Sequence, residues 1–526
     1  MQICISALIL YLFIASLPKP RICPIQPAPV FSGRGIAVLP RTLRAESPVA
    51  MSSTQCPRAP ASVLAPPLAD VAAHAGMLPL VALAIGFVMA MLDVTVVNVG
   101  LSNISTNLDA PLSMLVWIVD GYTLTFAAML LVGGALADRF GARRLYLTGL
   151  FLFVLASLLC GAAPNGPFLI AARLLQGLGA AFFMPSSLSL LTHVYEDDRV
   201  RARMLGVWSA TVGLAAAAGP LLGGVLIHWL GWRSVFLINV PVGLLGLLMA
   251  RKLIPQVAGH ARALHLFSHL AGVVMLAGIS FVLIQGPVYG WASPRILAAL
   301  AVAVLAAVAL VRHELRGIAP LLPKALFATP QFAAANGIGF LINFGVYGNL
   351  FYLALFLQQG RGADALQTGL QLVPMMAVVF FGNLMSGRMA AHWGPRVPLL
   401  LGLSVGTVFT AVAMSFRPET PYWLLALVCA AANLGVSTAI PSMTTVVMQV
   451  AGKAHANSAA AALNANRQIG ALVGVALMGA ILHSVAGWSL RNPLAFGVMA
   501  LAYGVALWLV WRFVGVVKEQ WVTRRA

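Results

Sequence analysis

From Leu78 onward the chain alternates long apolar runs with short polar breaks. About fourteen runs reach the roughly 20 residues that carry a helix across a bilayer. They are too long for barrel strands and lack a two-residue alternation. Lipid also requires each backbone amide to be bonded within its own segment or sheet, so the runs predict helices. The predicted spans are 78–100, 112–135, 145–164, 167–191, 204–229 and 234–251, then a pair at 267–286 and 296–311. Six more follow at 331–358, 368–388, 397–416, 422–448, 461–484 and 493–513. The grouping is six, two, six. The middle pair carries no charge within its spans and reads as a peripheral, lipid-facing insert.

Composition supports this reading: 60% of the 526 residues are hydrophobic and 9% are charged, which a soluble core cannot absorb. The net charge of +19 would suit nucleic acid, but its placement excludes that partner. Alternate loops hold fifteen Lys and Arg, among them Arg139, Arg199, Arg251, Arg312, Arg388 and Lys453, against five in the opposite set. Excess Lys and Arg mark cytoplasmic loops. Both termini are therefore expected inside, in the cytoplasmic (inner) membrane, with the basic tail (Lys518, Arg524, Arg525) against anionic lipid.

Residues 1–76 are rich in Pro, Ala and Ser and have no helical period, so no fixed structure is expected there. The apolar stretch Ile5–Leu17 is signal-like but lacks a basic flank, and translation from Met51 is the other reading. The expected organisation is this extension, a six-helix bundle over 77–252, two extra helices and their loops over 253–323, a second bundle over 324–516, and a tail over 517–526. The cysteines (Cys4, Cys23, Cys56, Cys160, Cys429) show no metal-ligand or disulfide spacing. No Gly-rich nucleotide loop with Lys occurs, and the histidines are scattered. No cofactor or metal is expected, and a membrane enzyme is the weakest of the readings.

Four motifs carry the chemistry. The run Gly134-Ala-Leu-Ala-Asp138-Arg139-Phe-Gly141-Ala-Arg143-Arg144 follows the second span, and Ser386–Arg396 follows the equivalent span of the last six as a degenerate copy, with His392 read at the acidic position. The pair suggests an internal repeat of six-helix halves, a transporter architecture. Gly134 and Gly141 suit close helix approach and a tight turn. The fourth span holds Arg173-Leu-Leu-Gln176-Gly177, an Arg that is costly in lipid unless paired or wet. The fifth holds Gly219-Pro220-x-x-Gly223-Gly224, a kinked, close-packing segment with Gly213 nearby. The first holds Asp93 and Asn98, the second Trp117, Asp120 and Tyr122.

Together these motifs, in this order, resemble the major facilitator superfamily, specifically its fourteen-helix drug:proton antiporter branch, over about residues 78–515. The fold class this implies is an all-α polytopic membrane protein: two pseudo-symmetric six-helix bundles, two linker helices, both termini cytoplasmic. The resemblance implies that Gly134, Asp138, Arg139, Gly141, Arg143 and Arg144 form a conformational latch favouring the outward-open state. It assigns Arg173 to proton coupling and the Gly219–Gly224 motif to antiport, with one departure, Ala215, where the family pattern has an upstream glycine. Trp232-Arg233-x-x-Phe236-x-x-Asn239 resembles the family's turn into the sixth span.

Asp93 and Asp120 are the only carboxylates within any predicted span. Asp93 lies seven residues before Gly100, Asp120 eight after Leu112 and Arg173 six after Pro167, so all three fall about 9–12 Å below the predicted outer boundary. Two acids and one Arg at one level predict a network whose pairing changes on protonation. A cationic substrate would be met in this half. Asn98, Tyr122, Gln176, Asn343 and Arg467 are candidate substrate-path residues. Arg467, one to two turns from the predicted cytoplasmic boundary, is also placed to snorkel. Asn336, Asn349, Gln358 and Gln371 give the second half a polar, uncharged lining.

The function expected is proton-coupled export, by alternating access, of hydrophobic or amphipathic drugs or other toxic compounds, with a same-fold symporter or metabolite exporter as the alternative. Expected partners are the small-molecule substrate, protons, the lipid bilayer and, by resemblance, a periplasmic adaptor and outer-membrane channel.

Overall fold

The computed structural model describes residues 76–195, 197–256, 266–316, 326 and 329–515. The predicted extension, but for Gly76, and the predicted tail lie outside them. The fourteen predicted spans all fall on helices: α1 Met77–Val99, α2 Leu112–Phe140, α3 Ala142–Gly161, α4 Gly166–Val194, α5 Asp198–Leu230, α6 Ser234–Leu253, α7 Phe267–Tyr289, α8 Pro294–Arg316, α9 Pro330–Gly360, α10 Ala365–Trp393, α11 Arg396–Ser415, α12 Tyr422–Gly452, α13 Ser458–Ser484 and α14 Trp488–Phe513. Among the described residues thirteen are long and apolar enough to cross a membrane; α5 contributes the shorter apolar stretch Ala217–Leu230. The chain is thus a multi-pass membrane protein.

Local chemistry sets the helix ends. Asn165 accepts from the Phe168 amide and Pro167 occupies the first turn, starting α4. Asp364 and Gln367 form a capping box, so α10 begins at Ala365, three residues earlier than its apolar run. The predicted break 449–460 is not a loop: helix continues through it, apart from a kink at Gly452 (φ 64°).

Close glycine contacts repeat in the two halves. In the first, Gly149 of α3 packs on Gly179 of α4, where a Cβ would come 2.7 Å from the Gly179 carbonyl. In the second, Gly402 of α11 packs on Gly435 of α12 with the same clash at 2.5 Å. Gly133 sits against the backbone of α4 as Gly382 sits against that of α12. Gly141 (φ 94°) and Gly394 (φ 76°) end α2 and α10 in conformations that favour glycine. Two residues on, the Arg143 guanidinium donates to the Arg251 carbonyl and Arg396 to the Trp511 carbonyl (3.2 Å), closing the C-terminal turns of α6 and α14.

This register corrects two expectations. Counted back from Gly394 as Asp138 is from Gly141, the acidic position falls on Ala391, not His392, whose ring lies 2.9 Å from the Arg388 carbonyl. The close helix approach expected of Gly134 belongs to Gly133; Gly134 and its counterpart Gly387 have open space where a Cβ would stand.

The core shows how the halves meet. One apolar cluster draws on both: Val96, Leu101, Val116 and Phe236 from the first, Phe351, Phe356, Ala476 and Phe496 from the second. It occupies the end carrying the α1–α2, α5–α6, α9–α10 and α13–α14 connections. At the other end the cores separate, one around Leu83, Tyr146 and Phe183, the other around Ile338, Met443 and Val510. The molecule is joined at one end and split at the other.

The middle pair divides. α8 is largely exposed, as a lipid-facing insert should be. α7 instead packs on both α2 and α13, where Leu276 meets Leu124, Ala127 and Leu472. It covers the seam between the halves, contrary to a purely peripheral placement. α8 also runs past its predicted span to include Glu314, which accepts a hydrogen bond from Ser268 at 2.5 Å.

Candidate substrate and coupling site

The motif of α4 meets that of α1 inside the first half. Arg173, 1% exposed, is ion-paired with the Asp93 carboxylate, itself 2% exposed. Its Nε donates to the Ile118 carbonyl at 2.9 Å and its Nη1 to Gln176 Oε1 at 2.6 Å. The guanidinium also lies over the Tyr122 ring at 4.6 Å and 5.8 Å from the Phe236 ring. Gln176 Nε2 donates to Asp93 Oδ1 and to Ser157 Oγ, both at 2.9 Å. Gln176 follows Arg173 by three residues, so both point from one face of α4 toward α1. The charge is thus held by a carboxylate, an amide, a carbonyl and two aromatic faces, the compensation a buried ion requires. A cavity of ≈ 20 Å³, room for one water molecule, adjoins Asp93 between Leu226 and Asn239.

Asp120 does not join this network, contrary to the three-residue network expected from depth. It is 0% exposed and neither carboxylate oxygen has a hydrogen-bond partner among the described residues. Rotation explains the separation. Ile118 and Tyr122 face Arg173, and at about 100° per residue Asp120 lies roughly 200° away from each. It shares its helix face with Val116 and Leu124, which touch Gly479 and Leu472 of α13. Asp120 therefore lies on the side of α2 that meets α13, at the seam between the halves.

The Gly219–Gly224 motif forms another part of that seam. Gly219 and Gly223 pack against Thr95 and Val96 of α1, and Gly224 against α10, where a Cβ would stand 2.8 Å from the Ala365 carbonyl. Gly369 of α10 abuts the Pro220 carbonyl in return. The backbone of Gly213 lies in α5, below this contact. Gln358, in a π-helical turn ending α9, accepts from the Ser102 amide (3.1 Å) and donates to the Asn98 carbonyl (3.4 Å). These bonds tie the halves together at the joined end. Asn98 turns its amide to the Val94 carbonyl of its own helix (2.7 Å).

Within the second half, a polar stripe on α9 (Asn336, Gly339, Asn343, Tyr347) faces α13. Asn466 donates to the Asn336 carbonyl, and the Arg467 stem packs 3.5 Å from where a Gly339 Cβ would lie. Asn343 bonds the Gly339 carbonyl at 3.0 Å. Arg467 is nine residues into α13, about 13 Å from Ser458, half-buried and within electrostatic reach of Tyr347. Tyr347 is also within electrostatic reach of Tyr122, which links the two halves' polar groups. Sequence reasoning passed over Tyr347, Ser157 and Gly133; the i, i+3, i+7, i+11 spacing of the α9 stripe is the signal that marks the first.

Comparison with known proteins agrees with this architecture. The profile described as Major Facilitator Superfamily matches residues 83–475 and, in an overlapping second match, 338–525. The chain is 48% identical to the Methylenomycin A resistance protein of Bacillus subtilis (strain 168), over 83% of this chain and 94% of that one. It is 44% identical to the protein of the same name from Streptomyces coelicolor, over 82% and 91%. It is 33% identical to the Tetracenomycin C resistance and export protein of Streptomyces glaucescens, over 78% and 76%.

Proposed function

The chain belongs to the major facilitator superfamily, and from that premise we propose that it exports small drug-like molecules, with methylenomycin A the first to test, in exchange for protons. It acts as a transporter rather than an enzyme. The bundles would be 77–252 and 324–516, linked by 253–323, with both termini cytoplasmic. On that orientation the joined end faces outward and the split end opens to the cytoplasm, the state that loads cargo from inside.

The observation that carries the coupling is the contrast between the two acids. Asp93 is compensated by Arg173 within one half, whereas Asp120 lies bare on the seam between halves. An ionised, unbonded carboxylate in such a place costs several kcal/mol. Asp120 then carries a proton while the outer end is joined, and its release would favour parting of α2 from α13. Arg173 and Asp93 hold the first half rigid around this movement. The glycine motif of α5 seals the same end against α10 and opposes leakage. The loop residues Asp138, Arg139 and Arg144 would act at the split end when it closes, with Arg143 anchored on α6.

The test uses a drug-sensitive host and membrane vesicles. Expression should raise methylenomycin A tolerance, and a proton uncoupler should abolish the gain. Drug added to energised everted vesicles should dissipate the proton gradient. Uncoupler-insensitive tolerance would refute proton coupling, and absence of any tolerance across a drug panel would refute export.

A further inference from the structure

Arg467 is a half-buried cation nine residues into α13, and no acid pairs with it among the described residues. It forms no hydrogen bond and no ion pair among the described residues, and its Nε is buried without a partner. Tyr347 lies within electrostatic reach of it, and no carboxylate among the described residues does. Neither of the two buried acids pairs with it: Asp93 is bound to Arg173, and Asp120 has no hydrogen-bond partner among the described residues. An intramembrane cation must be paired or wet, and this one is half-buried with no acid beside it, a place where water or the anionic group of a cargo can serve.

We infer that Arg467 receives the carboxylate of an anionic, otherwise apolar substrate. The inference rests on the exporter reading above and names the class of its cargo. A guanidinium offers a planar fork that matches a carboxylate with two parallel hydrogen bonds. The surroundings suit such a molecule. Asn343 and Tyr347 share the α9 face on which the Arg467 stem packs at Gly339. Phe340 and Phe344, each one residue along α9 from the stripe, stack with ring centroids 6.4 Å apart and add apolar surface nearby. A cationic cargo finds no free carboxylate beside Arg467, since Asp93 is paired with Arg173.

Binding by purified protein in detergent, read by ligand-dependent shifts in thermal unfolding, tests the assignment without requiring transport. Benzoate, benzamide, benzyltrimethylammonium and inorganic phosphate serve as probes. Wild type should prefer benzoate to the other three. Arg467→Gln should weaken benzoate by roughly tenfold or more, the worth of a lost charge-assisted bond, and leave benzamide unchanged. Arg467→Lys should fall between, since it keeps the charge but not the fork. Equal affinity of wild type for benzoate and benzamide, tighter binding of the ammonium probe or of phosphate, or unaltered benzoate binding by Arg467→Gln would overturn it. Failure of export itself would appear separately, in the vesicle assay, with benzoate binding intact.

Discussion

Replacing Asp93 by Asn removes one charge from a pair in which both partners are almost fully buried (2% and 1% exposed). The hydrogen bond from Gln176 Nε2 survives, because the Asn amide oxygen can accept in place of Oδ1. What is lost is the counter-charge of Arg173, which keeps the Ile118 carbonyl, Gln176 and the Tyr122 face but no carboxylate. Breaking one side of a buried pair costs about 3–5 kcal/mol, far above the roughly 1 kcal/mol of a lost neutral hydrogen bond. Neutralising both sides together leaves no orphaned charge. Asp93→Asn/Arg173→Gln should therefore recover much of the loss, a strongly non-additive cycle. Cys160 and Cys429 are buried free thiols, so a thiol-reactive dye reports unfolding in a background where Cys4, Cys23 and Cys56 are Ser. Cys160 lies 3.8 Å from Gln176 Oε1 and reads this network directly. If Asp93→Asn unfolds with the wild type, or the two substitutions simply add, the pair does not hold α1 to α4 and the argument fails.

Asp120→Asn should behave in the opposite way, since no partner is lost: stability within about 1 kcal/mol of wild type, but export no longer driven by the proton gradient. A large destabilisation would mean that the carboxylate has a structural partner. Gly133→Ala should destabilise by about 1–3 kcal/mol because its Cβ would enter the backbone of α4, whereas Gly134→Ala should stay within roughly 0.5 kcal/mol; equal effects in a melting assay would refute the assignment of the close approach. Gln358→Leu removes both bonds across the joined end, worth about 1 kcal/mol each, and should shift the population toward the parted state by roughly fivefold or more. Faster labelling of a Ser102→Cys probe by an impermeant maleimide from outside measures this, and an unchanged rate counts against the Gln358 bonds holding the joined end.

The helices were legible because a bilayer imposes a length that apolar runs either reach or do not. Their ends were less so. Polar residues such as Asp138 and Arg139 remain helical to Gly141, because a positive-φ glycine, not the last apolar residue, ends α2. The break before Ser458 misled for the converse reason: Lys453 and Asn457 look like loop, yet the chain stays helical on either side of one kinked glycine. The repeat was visible in two loops, but its register was not. Only the two cap glycines, and the arginines that each close a neighbouring helix, place Asp138 opposite Ala391.

Depth along a helix can be counted from sequence, whereas rotation about it is set by neighbours the sequence does not name. That difference decides the site. Asp93, Asp120 and Arg173 were counted to one level, and two of them meet there. The third is turned roughly 200° from the residues of α2 that face Arg173. The consequence for coupling is specific. A charge balanced inside one rigid half is blind to movement between halves, since both partners travel together. A charge on the seam changes its surroundings whenever α2 slides or parts from α13, and its protonation must change with them. On the proposed mechanism, Asp93 and Arg173 keep the first half in one piece, and Asp120 registers whether that piece is in contact with the other.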